Sequence, residues 1–140
     1  VLSAAVHDPA ALAAATQAAE LDALAAGGAF GAALRATPEF AALVATNAAR
    51  GADPAARSAI DAYNEMQEEY RVEAAMNLLT EEQAQELGRL LEAVYAVPSV
   101  VAYVDASGAF EAVCRETATV ISGLIGIDFA ANSRSGGCCG

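Results

Sequence analysis

Three of the chain's four prolines follow a residue that caps helices: Asp8-Pro9, Thr37-Pro38 and Asp53-Pro54. Asp and Thr side chains accept hydrogen bonds from the free amides of a first helical turn. Proline suits that turn because its missing N–H would find no partner there. The fourth, Pro98, follows the Ala96-Val97 end of another helical stretch. Thr80-Glu81-Glu82-Gln83 is a capping box, with Gln83 reaching back toward the Thr80 amide. These signals predict helices over about 9–26, 29–50, 54–78, 81–96 and 98–125, with a break at Gly27-Gly28 and room for a kink at Thr37-Pro38.

Alanine fills the intervals, at 38 of 140 residues. It heads the helix scale, and β-branched residues and turn clusters are sparse, so the expected fold is all-α: a small antiparallel helical bundle with long helices. Ile60, Tyr63, Met66, Tyr70, Ala74 and Leu78 recur at helical spacing. Leu87, Leu90, Leu91 and Val94 continue the stripe on the next helix. Tyr103, Phe110, Cys114, Ile121 and Leu124 line one face of the last, widened by Val100, Val104, Val113 and Val120. All of these read as core or subunit interface. Alanine side chains let helices approach closely but bury little area each. A chain so built gains from assembly, and a homo-oligomer is expected, with a closed monomeric bundle as the alternative.

The charge excludes one class of partner. Eighteen acids face seven arginines and no lysine, for a net charge of −11. Phosphate contacts come mainly from clustered Lys and Arg, so no direct nucleic-acid binding is expected. No uninterrupted apolar run has the length of a membrane span. The first thirty residues lack a basic segment and do not read as a signal peptide. Three cysteines, two of them adjacent, make no disulfide framework. The expected compartment is the cytoplasm, with no membrane partner.

Catalysis has no footing. His7 is the single histidine and precedes a helix start, where a capping or solvent role suits it. No nucleophile–base pair, phosphate loop or HExxH motif is present. Gly123-Leu-Ile-Gly126 is a helix-end glycine pattern. Glu65, Glu68, Glu69 and Glu73 lack the histidines a di-iron carboxylate bundle uses, so they read as a solvated face. The chain is not expected to be an enzyme.

One constellation carries chemistry, Gly136-Gly137-Cys138-Cys139-Gly140. Flanking glycines let backbone amides approach thiolate sulfur, as at iron–sulfur sites, and zinc also accepts thiolates. Two adjacent cysteines do not complete a four-thiolate site. The remaining ligands would come from a second copy, from a partner protein, or from Cys114, which matches the core face of its helix. Two free thiols on a tail are the alternative; prenylation fits poorly, with Gly140 last and no basic stretch nearby.

Four passages resemble one family. They are ALRATPEFAAL (33–43), DPAARSAIDAYNEMQEEY (53–70), VPSVVAYVDASGAFEAVCRETATVISGLIGIDFA (97–130) and the tail GGCCG. Their order and spacing are similar to those of the YlbF/YmcA family of small helical bacterial proteins, the control-of-competence regulators. Val97-Pro98 replaces the family's usual Asn-Pro. The resemblance implies a YlbF-like helical domain (29–127) and a Gly/Cys tail (128–140), preceded by an N-terminal helical extension (1–28) that the four passages do not cover. It implies a non-enzymatic regulator that self-associates and joins related family or adaptor proteins. It further implies a [4Fe–4S] cluster, here matched by Cys138 and Cys139, and a role in RNase-dependent mRNA maturation. Two rival readings are an iron–sulfur electron-transfer protein and a metal-free structural assembly subunit.

Overall fold

A computed structural model describes residues 9–134, with side chains from 10 to 131. The described chain is all-α: α1 (Pro9–Arg35), α2 (Pro38–Ala52), α3 (Pro54–Glu69), α4 (Arg71–Ala75), α5 (Glu81–Tyr95), α6 (Pro98–Ile125) and α7 (Phe129–Arg134). It divides between Thr37 and Pro38 into two units.

The first unit contains α1. The helix runs without interruption through Gly27, Gly28 and Gly31, so the break expected at Gly27-Gly28 is absent. Glycine weakens a helix by about 1 kcal/mol relative to alanine, but only a cap, a proline or a left-handed residue stops one. No such signal occurs until Thr37-Pro38, and the chain breaks there. Along α1, Leu12, Leu21 and Leu24 are exposed.

The second unit holds two antiparallel helix pairs. α2 lies along α6, and α3 lies along α5. The direction of the first pair follows from its ring contacts. Phe40, early in α2, meets Phe110 edge-on at 5.4 Å, while Arg50, late in α2, stacks over Tyr103 at 4.7 Å. The second pair is a hairpin closed through α4. Both pairs meet at an elbow, where Asp53 separates α2 from α3 and Ala96-Val97 separates α5 from α6 with a bend of 83°.

Proline sets both corners of the elbow. Pro54 and Pro98 each occupy the first turn of a new helix, and the residue before each takes an extended backbone. At the far end of α5, Thr80 Oγ1 accepts from the Gln83 amide at 3.2 Å, and Gln83 Oε1 accepts from the Thr80 amide at 2.9 Å. The capping box read from the sequence is thus formed in full.

The core sits at the elbow and is small. Among the described residues only Ala56, Val94 and Val100 are buried, with Ala59, Ile60, Tyr63 and Val97 packed around them. Ala56 is wholly enclosed, at 0% exposure. It clusters with Val94 of α5 and Val100 of α6, and solvent has no access to its methyl group. Ala56→Leu is expected to destabilise the second unit by about 1–3 kcal/mol through overpacking, seen as a lower midpoint in urea unfolding.

The expected apolar stripes are only partly covered. Ile60, Tyr63, Met66 and Tyr70 are half-buried, but Ala74 and Leu78 are exposed. The reason is a helix stop that the stripe ran past. α3 ends at Glu69, and α4 ends in a left-handed Asn77 at φ 59°. On α6, Tyr103, Phe110, Val113, Cys114 and Ile121 are half-buried, whereas Val104, Val120 and Leu124 are exposed. Length explains the last two, whereas Val104 lies within the reach of α2 between Tyr103 and Phe110. α6 has 28 residues and α2 has 15, so α2 spans about 22 Å of a helix about 42 Å long.

Candidate functional site

Beyond the reach of α2, the end of α6 meets a returning chain. Gly126 closes α6 in the left-handed conformation at φ 74°, and its N–H donates to the Ser122 carbonyl at 2.9 Å. Ser122 then pins the reversal. Its hydroxyl donates to the Ala118 carbonyl at 2.7 Å and accepts from the Phe129 amide at 3.0 Å. Asp128 Oδ1 accepts from the Ala131 amide at 3.0 Å and starts α7. The stretch 128–140, expected as a tail, therefore begins with a helix packed on α6.

Between α6 and α7 lies an open groove of about 820 Å³. Cys114, Ala118, Ser122, Ile127 and Phe129 contribute to its walls, and the Glu111–Arg115 pair, 3.2 Å apart, lies toward one end. Leu124, at 82% exposure, Val120, Ile125 and Ile127 extend an apolar surface around it.

Cys114 is the one cysteine among the described residues. Its thiol is free, and the residue is half-buried on the groove wall. The core placement expected for it is therefore only half met. Among the described residues, no three His, Cys, Asp or Glu side chains converge to hold a metal. Cys138 and Cys139 lie outside the described residues, as do His7 and the Asp8 cap. The glutamates 65, 68 and 69 are exposed and Glu73 is half-buried, with Glu68 held by Arg71 at 3.0 Å.

One polar contact was not foreseen from the sequence. Asp53 does more than cap α3. Its Oδ1 accepts from the Ala55 amide at 2.9 Å, while its Oδ2 accepts from the Ser99 hydroxyl at 2.6 Å. A single carboxylate thus ties the start of α3 to the start of α6. The Ser99 hydroxyl above all, then the Ala55 amide, holds the Asp53 carboxyl below the ordinary aspartate range. A depressed carboxyl contributes stability that is complete above its unfolded value, near 4, and lost as pH falls through the folded value. Asp53→Ala is expected to lower Tm at pH 7. The gap to the unaltered protein narrows on acidification below about pH 4, which melts at pH 7 and pH 3 will measure.

Arg50 lies at the same elbow. It reaches Asn47 Oδ1 at 2.9 Å and stacks over Tyr103, and its buried Nε has no hydrogen-bond partner. The guanidinium here serves as a flat packing surface between α2 and α6.

Among the described residues, no single helix is long and apolar enough to cross a membrane. The chain matches no curated protein and no solved structure. A family model does match, over residues 25–125. The matched range starts within α1 and ends with the last residue of α6, so α7 and the cysteine pair lie beyond it. It contains the elbow, both antiparallel pairs and Cys114. By this match the chain belongs to the YlbF/YmcA family, described as control of competence regulator ComK.

Proposed function

We propose that this chain is a non-enzymatic regulatory adaptor that assembles with itself and carries an iron–sulfur cluster on Cys138 and Cys139. Family membership supports the regulatory part. One observation carries the self-association: α6 extends past its partner α2 and leaves Val120, Leu124 and Ile125 exposed, over a core of three buried residues among those described. A second copy of the chain is the occupant that covers this surface.

The donor set favours the same arrangement. A [4Fe–4S] cluster takes four thiolates, and the chain has three cysteines in all. The adjacent pair from each of two copies completes the set. Gly136, Gly137 and Gly140 leave the backbone free to bring amides toward sulfur. Such a cluster supplies a redox-active centre and a tie between chains. Zinc takes the same four thiolates and is the alternative metal.

The regulated process we propose is RNase-dependent mRNA maturation, reached through related family or adaptor proteins. With a net charge of −11, the chain acts there through a basic partner and not by touching RNA itself. Cytoplasmic residence belongs to the same reading. Anaerobic purification followed by iron, sulfide and zinc analysis tests it. The expected result is a coloured protein with iron and acid-labile sulfide in equal amounts. Zinc without sulfide replaces the cluster by a zinc centre, and a colourless, metal-free protein rejects both.

A further inference from the structure

The far end of the α3–α5 hairpin carries a second surface, distinct from the α6–α7 groove. α4 stops there in a Schellman motif. The Leu78 amide donates to the Glu73 carbonyl at 2.8 Å, and the Asn77 amide donates to the Ala74 carbonyl at 3.1 Å. Asn77 supplies the left-handed residue the motif needs. The motif folds the residue after the left-handed one back toward the last turn of its helix. Leu78 is that residue, and Val72 in α4 and Met76 at its C-cap lie four apart. Three apolar side chains are thus gathered at one end of the hairpin. Val72, Met76 and Leu78 are 54%, 65% and 65% exposed.

Carboxylates surround them in sequence. Glu68 and Glu69 close α3, Glu73 is in α4, and Glu81 and Glu82 open α5. Over residues 65–82 there are six glutamates and one arginine, Arg71, which is already paired with Glu68. An apolar patch rimmed by one sign of charge is a recognition surface with a stated complement. A second copy of the chain does not fit it, because a self-complementary contact sets one ring of carboxylates against another. Anionic phosphate and lipid surfaces are repelled for the same reason. An exposed methionine between two aliphatic side chains adapts to varied apolar shapes.

We infer that this hairpin tip docks a basic amphipathic helix of a partner protein. Its apolar face seats on Val72, Met76 and Leu78, and its cationic residues lie against the flanking carboxylates. The inference rests on the adaptor reading and names the chemistry of what the adaptor holds.

The test titrates a fluorescent helical Lys/Leu peptide into the full chain and into three variants, following anisotropy at low and raised salt. Met76→Ser/Leu78→Ser removes apolar contact and no charge. It is expected to weaken binding about tenfold. Glu73→Gln/Glu81→Gln/Glu82→Gln is expected to weaken binding and to flatten its salt dependence. Glu92→Gln/Asp105→Asn/Glu116→Gln removes the same charge elsewhere on the exposed surface and is expected to change affinity less than about twofold. Circular dichroism confirms that each variant keeps its helices. Equal losses in both charge variants, or no loss in the serine variant, overturn the inference by showing attraction to net charge alone. Sedimentation of the same variants separates the two readings. Variants that self-associate normally while peptide binding ignores the tip sink the docking site and leave the adaptor standing.

Discussion

Val120→Arg/Leu124→Arg is expected to convert the proposed assembly into single chains while leaving its helix content intact. The two residues lie four apart on one face of α6, beyond the reach of α2, and both are exposed in the isolated chain. Neither contributes to the elbow core, so the fold loses little by their replacement. Arginine near a helix C-terminus also suits the helix dipole. In the proposed assembly a second copy covers the same positions. Each buried aliphatic side chain is worth about 1.5–3 kcal/mol, and a twofold contact counts every substitution twice. Guanidinium groups forced into that contact without partners add a further penalty. Together these weaken association by at least about a thousandfold. Sedimentation equilibrium will show the change as a fall in mass. An assembly of unchanged mass would mean that another surface holds the copies together.

The second large effect concerns the terminal cysteines. Cys138→Ser and Cys139→Ser are each expected to abolish iron binding, because a serine hydroxyl does not replace a thiolate and a shared four-thiolate site loses two ligands at once. Cys114→Ser is expected to keep its iron. The half-buried Cys114 lines a groove in which the described residues place no further cluster of ligands. Iron content per chain, measured on protein purified without oxygen, distinguishes the three. Loss of iron from Cys114→Ser would make the α6–α7 groove part of the metal centre.

The features legible in the sequence were the local ones. Thr80 and Gln83 satisfy each other within one turn, and Asp53-Pro54 starts α3 by contacts two residues away. Such signals need no knowledge of the rest of the fold. Asp53 and Ser99 stand 46 residues apart, and no periodicity connects them. Ala56 escaped the expected core because hydrophobic stripes are read from large residues, and the tightest point of the elbow takes the smallest side chain. Leu78 reads as core or subunit interface only when the stripe is carried across Asn77, whose left-handed backbone ends that helix. α7 was read as tail although Asp128 carries its own cap signal, which a surrounding run of glycine and serine obscured. The cysteine pair was legible as chemistry, but its partners belong to a second chain in this account and so leave no trace in one sequence.

Charge sharpened the picture in a similar way. A net charge of −11 first excludes nucleic acid, but the acids are spread unevenly along the chain. The α3–α5 hairpin collects them around its exposed tip, while the end of α6 stays apolar. One surface therefore suits a second copy of the chain, and the other suits a cationic partner. An adaptor needs two such surfaces of different chemistry.

The proposed arrangement has two or more copies sharing a cluster held by their terminal cysteines. Native mass spectrometry of the full chain, prepared and sprayed without oxygen, tests it most directly. The expected result is an assembly whose mass exceeds that of its chains by an iron–sulfur cluster, and which loses that excess in Cys138→Ser/Cys139→Ser. A single chain carrying no added mass would contradict it.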